Sequence, residues 1–236
     1  MKLQESNNTQ VGGHRGLPLV YPDNTLEGIT AAAEVADFIE LDVRRSSDGL
    51  MVLSHDPALR DTTIHDHAWA ELRNIDLGGG YHPALLEFIL DALPNTPLDI
   101  EIKNSPLQPG FDPGGVFAVE VAACARPFDV VTCFFWPTMD IVKRALPHVR
   151  TGLLVDEGGS LTDAFEAAVA AGHEVVAPHY SLLVNSSSRP IDQAHDAGLE
   201  VVTWTVNDVA VAARLVGDGV DGIISDDPER IQQEKP

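Results

Sequence analysis

Gly152-Leu153-Leu154-Val155, Val175-Val176-Ala177-Pro178, Val201-Val202-Thr203-Trp204-Thr205-Val206 and Gly222-Ile223-Ile224-Ser225 are four short β-rich runs, each separated from the next by a helix-forming segment. The helical stretches are Leu161–Ala171, Pro190–Ala197 and Val209–Val216. Gly172, Gly198 and Gly217 stand just past them, where a left-handed cap favours glycine. The same alternation runs upstream, with strands at Gln10–His14, Phe38–Val43, Leu98–Lys103 and Val130–Phe135. Helices are expected at Thr25–Val35, Leu85–Ala92, Gly115–Arg126 and Pro137–Leu146. Strands alternating with helices predict a parallel sheet, and eight such units predict a closed (β/α)8 TIM barrel. The 236 residues fit one domain of this kind, 1–236.

One segment breaks the pattern. Leu50–Ser54 also reads as a strand, but only the polar turn Arg44–Gly49 separates it from Val43. A parallel crossover needs a dozen or more residues, so this piece is expected to return antiparallel, as a hairpin beside the second barrel strand. It would carry His55 to the barrel mouth. Residues 56–83 are irregular apart from a helical stretch near Trp69–Arg73, contain Gly78-Gly79-Gly80, and read as a loop over that mouth. The tail Glu229–Pro236 reads as frayed.

The composition narrows the function. A formal charge of −21 argues against nucleic acid and anionic membranes as partners, since both demand a basic footprint. An anionic substrate would need local positive charge. The N-terminus MKLQESNNTQ lacks the apolar core of a signal peptide, and no apolar run approaches the roughly 18 residues of a membrane span. No stable membrane association is expected. Cys124 and Cys133 are too few for a disulfide framework and read as free buried thiols of a cytoplasmic protein.

Barrels of this type place their chemistry at the C-terminal strand ends. The polar residues there are His14, Arg15, Glu40, Asp42, Glu101, Lys103, His179, Trp204 and Asp226. Glu40 and Asp42 are two apart and share one strand face, as do Glu101 and Lys103. Converging carboxylates repel unless a cation lies between them, so Glu40, Asp42 and Glu101 are a candidate site for a hard divalent ion, Mg²⁺ or Ca²⁺. His14 and His55 are candidate acid and base, flanked by Arg15 and Asp56, because imidazole titrates near neutral pH. Arg15 offers a planar fork for phosphate, and Lys103 either pairs with a carboxylate or contacts a phosphate oxygen. Salt bridges closing the barrel are the alternative for any one of these charges. His65-Asp66-His67 has His-x-His spacing without a third ligand nearby. Trp204 either stacks on a ligand or plugs the mouth, and Phe134, Phe135 and Trp136 divide between core packing and the pocket wall.

The ordered motifs Gly13-His14-Arg15-Gly16, Pro22-Asp23-Asn24-Thr25-Leu26-Glu27, Ile39-Glu40-Leu41-Asp42-Val43, His55-Asp56, Ile100-Glu101-Ile102-Lys103, Pro178-His179-Tyr180-Ser181, Thr203-Trp204-Thr205-Val206-Asn207 and Asp221-Gly222-Ile223-Ile224-Ser225-Asp226 cover most of the chain. Together they resemble the glycerophosphodiester phosphodiesterase family. The resemblance implies a (β/α)8 barrel that hydrolyses small glycerophosphodiesters to glycerol 3-phosphate and an alcohol. It implies a divalent metal on Glu40, Asp42 and Glu101, acid–base catalysis by His14 and His55, and phosphate contacts from Arg15 and Lys103. In such enzymes water or the substrate's own glycerol hydroxyl attacks phosphorus, the latter through a cyclic phosphate. Three features depart from the family pattern. Asp23 replaces a glutamate, Phe134 replaces a small serine, and the segment after His55 is compact. Phe134 and Trp136 motivate a second reading, a lysophospholipid or other bulky diester as substrate. The Asp23 and Phe134 departures motivate a third, a barrel that binds phosphate without turnover.

Overall fold

A computed structural model describes residues 9–186 and 189–234; the N-terminal stretch 1–8 and the last two residues of the tail, both read above, lie outside the described residues. In chain order the elements are β1 (Gln10–His14), α1 (Leu26–Ala32), β2 (Phe38–Arg45), β3 (Met51–Leu53), β4 (Ala58–Leu59), β5 (Thr62–Thr63), α2 (Trp69–Leu72), α3 (Leu86–Ala92), β6 (Leu98–Ile102) and α4 (Val116–Ala122). Then follow β7 (Val130–Cys133), α5 (Trp136–Ala145), β8 (Arg150–Val155), α6 (Leu161–Ala171), β9 (Val175–Pro178), α7 (Tyr180–Val184), α8 (Pro190–Asp196), β10 (Glu200–Thr203), α9 (Val209–Asp218), β11 (Gly222–Ser225) and α10 (Pro228–Glu234).

Eight parallel strands close in the order β1-β2-β6-β7-β8-β9-β10-β11, with β11 pairing back to β1. The (β/α)8 barrel is therefore present, and β3 runs antiparallel to the end of β2, with Val43 opposite Leu53 and Arg45 opposite Met51. Period-two alternation divides the strands between two environments. Ile39, Leu41 and Val43 of β2, and Leu98, Ile100 and Ile102 of β6, are buried in the main hydrophobic core. The alternate residues Glu40, Asp42, Asp99 and Glu101 face the lumen, where β2 and β6 bring Glu40 opposite Asp99 and Asp42 opposite Glu101. Side chains in such lumens are usually bulky and branched. A row of acids there instead marks this half of the barrel as a site.

Several expectations are corrected. Residues 56–83 are more regular than expected. They form the β4–β5 hairpin and α2, and with Val52 and Leu85 they bury Leu59, Ile64 and Leu72 in a second small core. None of the described pocket-lining residues comes from this segment. Gly217 does not end its helix. The chain continues to Asp218 and is capped by Gly219 at φ 91°, the left-handed conformation that favours glycine. The tail is a helix through Glu234, held by buried Pro228 and Ile231. Both cysteines are free, but only Cys133 is buried; Cys124 is exposed. Among the described residues, no helix is long and apolar enough to cross a membrane.

Candidate active site

The site begins where β1 stops. Arg15 adopts φ 56°, an uncommon conformation for a residue with a side chain. It is held there because its N–H donates both to the Glu40 carbonyl (2.9 Å) and to Glu40 Oε2 (3.0 Å). Gly16 follows at φ 97°, and a Cβ on it would lie 2.7 Å from the backbone carbon of Gly28 in α1. Only glycine permits that approach. Thr25 caps α1 by accepting from the Gly28 N–H at 3.2 Å.

Below this turn lies a well of carboxylates. One oxygen from each of Glu40, Asp42 and Glu101 lies within 4.8 Å of the others, and all three residues are buried. Asp99 is buried beside them and accepts from Thr132 Oγ1 at 2.7 Å. Two cations face these four acids. Lys103 Nζ is 2.5 Å from Glu101 Oε1 and 2.8 Å from Asp42 Oδ1, and Arg15 Nε is 3.2 Å from Asp42 Oδ2. Asn24 completes the Asp42 environment, donating to Oδ2 (2.8 Å) and accepting from the Asp42 N–H (3.0 Å).

This imbalance of charge sets the titration. Burial, then the charges of Asp42 and Glu101, push Glu40 well above the usual carboxylate range. Burial also pushes Glu101 up to about 7 against the pull of Lys103, with Asp42 adding to the rise. Asp99 is likewise pushed up to about 7, chiefly by burial. Asp42 moves the other way: burial would raise it, but Lys103 and Arg15 together hold it below the ordinary value.

These residues fit a divalent cation. The donors are three hard carboxylates, and two of them are difficult to ionise as they stand. Asp42 Oδ1 is buried and faces the Lys103 ammonium at 2.8 Å, so a positive charge already meets the carboxylates at this point.

Both expected histidines line the same pocket. His14 Nδ1 lies 2.6 Å from Asp226 Oδ1, and its Nε2 is 4.0 Å from Glu40 Oε2. His55 arrives from the turn after β3, as the hairpin requires. Buried Arg44 grips it there, with both Nε (3.0 Å) and Nη2 donating to the His55 carbonyl. His55 Nδ1 meets Asp56 Oδ1 at 2.9 Å. Burial lowers the His55 pKa, and the charges of Lys103 and Arg15 lower it further.

The opposite wall is apolar, lined by Phe134, Leu154, Trp204 and Ile224. Trp204 is fixed by Nε1 donating to the Ala177 carbonyl at 2.8 Å, and His179 packs on its ring at 5.1 Å. Phe134 meets Trp204 edge-on at 5.4 Å and is 41% exposed, which makes it a pocket residue. Phe135 and Trp136 instead pack against the core, and Trp136 donates to the Leu154 carbonyl. Asp23 reaches Arg15 Nη1 at 3.1 Å, so the shorter acid still contacts the guanidinium. His67 bonds the Thr63 carbonyl and His65 packs at Gly110, so the His65-Asp66-His67 triplet joins no metal-type cluster among the described residues.

Reading the sequence strand by strand passes over four residues of this site: Asn24, Arg44, Asp99 and Asn207. Asp99 carried a usable signal, since it lies two before Glu101 on the same strand face. The other three act through partners 11 to 19 positions away, and no local spacing reveals that.

Comparison with known proteins places the chain in a family. The sequence profile of the glycerophosphoryl diester phosphodiesterase family matches residues 14–230. A glycerophosphodiester phosphodiesterase of Caldanaerobacter subterraneus subsp. tengcongensis is 30% identical, over 94% of this chain and 96% of its own length. The crystal structure of a glycerophosphodiester phosphodiesterase from Thermotoga maritima superposes with a TM-score of 0.80 at 26% identity, covering 96% of this chain and 98% of that one. A phosphodiesterase of Oleispira antarctica, in complex with the product sn-glycerol-3-phosphate, superposes with a TM-score of 0.81 at 25% identity, covering 95% and 96%. The chain belongs to the glycerophosphoryl diester phosphodiesterase family, a family of phosphoric diester hydrolases.

Proposed function

We propose that the chain hydrolyses glycerophosphodiesters to sn-glycerol 3-phosphate and an alcohol, using a divalent cation, Mg²⁺ or Ca²⁺, and acid–base catalysis by His14 and His55. One observation carries this reading. Two histidines, the cationic Arg15 and Lys103, and the carboxylates Glu40 and Glu101 line a single pocket at the C-terminal face of the barrel, with Asp42 buried beside them. The Oleispira relative, which holds sn-glycerol-3-phosphate, supports the product.

Glu40, Asp42 and Glu101 would hold the cation. When bound, it would supply Lewis-acid polarisation of the phosphoryl oxygens and neutralise the carboxylate excess. With the carboxylates so neutralised, Arg15 and Lys103 would be the residues to meet phosphate oxygens, giving an acidic protein its local positive clamp. Burial beside Lys103 and Arg15 lowers the His55 pKa, and one imidazole of the His14–His55 pair serves as the base. It removes the proton from the attacking hydroxyl as the new P–O bond forms. The other imidazole of the pair delivers a proton to the leaving alkoxide as the old P–O bond breaks. Trp204 and Phe134 face the apolar part of the substrate.

The testing experiment is a screen over several glycerophosphodiesters, with EDTA and then with each cation added back. Alanine at both histidines is expected to abolish the metal-dependent turnover, and undiminished turnover would overturn the reading.

The pocket position of Phe134 favours a second reading, a bulkier leaving group such as a lysophospholipid. Trp136 no longer supports it, since its indole packs into the core. Turnover of lysophosphatidylcholine at a rate comparable to glycerophosphocholine, lost in Phe134→Ser, would establish this reading; no lysolipid turnover removes it.

A further inference from the structure

We propose that Asp226, clamped by Asn207, is the positioning residue that sets the tautomer and aim of His14; this rests on the reading of His14 as an acid–base group given above. Asp226 follows directly on β11 and places Oδ1 2.6 Å from His14 Nδ1. An ionised carboxylate only accepts hydrogen bonds, so the proton between them sits on Nδ1. Nε2 is left with its lone pair, on the side of the ring that faces Glu40 and the pocket. That is the nitrogen available to a substrate atom.

Asp226 is itself held. Its Oδ2 accepts from Asn207 Nδ2 at 2.6 Å, and its N–H donates to Asn207 Oδ1 at 2.9 Å. Ser225 Oγ donates to the same Asn207 oxygen at 3.0 Å. Asn207 comes from the segment after β10, which is tied to β11 where Val206 N–H donates to the Ile224 carbonyl. Side chains at the ends of β1 and β11 and just after β10 and β11 are thus joined in one chain, His14–Asp226–Asn207–Ser225. The partner of the other histidine differs. Asp56 is the chain neighbour of His55 and its side chain is 77% exposed, against 27% for Asp226. The two imidazoles are therefore not equivalent: His14 is aimed by the barrel, whereas His55 is gripped at its backbone by Arg44.

A purely structural role, in which Asp226 and Asn207 only seal the β10–β11–β1 seam, is separated by the imidazole itself. Nitrogen-15 NMR of the intact protein reads which His14 nitrogen carries the proton. The wild type is expected to show Nδ1–H. Asp226→Asn keeps the shape but offers an amide N–H to Nδ1, so the proton is expected to move to Nε2. By analogy with the carboxylate that orients the histidine of a catalytic triad, kcat is expected to fall by roughly 10²–10⁴ with KM little changed. Asn207→Ala is expected to give a smaller fall in the same direction, and Asp226→Glu to recover part of it. Circular dichroism and Tm show whether each variant is folded, and the tautomer is read only on folded protein. An unchanged tautomer in Asp226→Asn overturns the proposal, as does a changed tautomer with unchanged kcat. His14→Ala distinguishes the two levels. Persisting turnover there removes the catalytic reading of His14. Lost turnover there, with Asp226→Asn silent in both readouts, removes the positioning role alone.

Discussion

Asp99 offers a direct test of the electrostatics of the well. It is buried, and burial together with the nearby Asp42 charge pushes its pKa up to about 7 from an ordinary value of 3.8. Between those values the folded protein binds a proton that the unfolded chain has released, so stability must fall as pH rises through this window. The difference, 7 less 3.8, is 3.2 pKa units; at about 1.36 kcal/mol per unit this is about 4 kcal/mol of destabilisation, fully expressed above pH 7. Asp99→Asn is nearly isosteric and its amide oxygen can still accept from Thr132 Oγ1, but it carries no charge. With the protein stripped by EDTA, urea unfolding from pH 4 to pH 8 is expected to show the variant gaining on the wild type. The gap should widen by up to about 4 kcal/mol across that range and level off above pH 7. A gap that stays flat with pH would refute the account of Asp99 as a buried, reluctantly ionised acid. A gap that narrows would reverse its sign.

Other outcomes follow from single contacts. Gly16→Ala forces a Cβ to within 2.7 Å of the Gly28 backbone at φ 97°; destabilisation of roughly 2–4 kcal/mol by urea unfolding is expected, with loss of turnover because His14 and Arg15 sit on the same turn. Lys103→Ala leaves buried Glu101 and Asp42 without their nearest cation; in the EDTA-stripped protein at pH 8 a loss of about 3–5 kcal/mol is expected from urea unfolding, and a loss below 1 kcal/mol would count against the pairing. His173 is buried between Thr151 Oγ1 (2.7 Å) and Asp140 Oδ1 (3.1 Å), and burial lowers its pKa from the ordinary 6.5. A histidine depressed in the folded state contributes stability above its unfolded pKa that is lost as pH falls through the folded one. The Tm of the wild type is therefore expected to drop relative to His173→Gln below about pH 6.5, and parallel pH profiles would contradict this.

The acidic well was legible in the sequence because strand periodicity is strict. Glu40 and Asp42 had to share a face, and the short turn 46–50 forced β3 back, bringing His55 to the mouth. The same rule reaches Asp99, two residues before Glu101. Contacts between distant segments were not legible. Asn24 reaches Asp42 across 18 positions and Asn207 reaches Asp226 across 19, and either pairing exists only once the barrel has closed. Aromatic runs were ambiguous for another reason. Phe134 and Trp136 both follow β7, yet the start of α5 turns the indole of Trp136 to the Leu154 carbonyl and leaves Phe134 facing Trp204. At the chain end, Pro228 and Ile231 bury on one face of α10 with the spacing of a helical turn, a pattern too short to register against a polar tail.

The Glu40, Asp42 and Glu101 cluster and the two histidines are proposed to act together on a phosphodiester. The most direct measurement is release of sn-glycerol 3-phosphate from a panel of glycerophosphodiesters by EDTA-stripped protein, repeated after adding Mg²⁺ or Ca²⁺, for the wild type and for His14→Ala and His55→Ala. Release is expected to be negligible without metal, restored by at least one of the two cations, and lost again in both variants. Equal release with and without metal, or full activity in either histidine variant, would contradict the proposal.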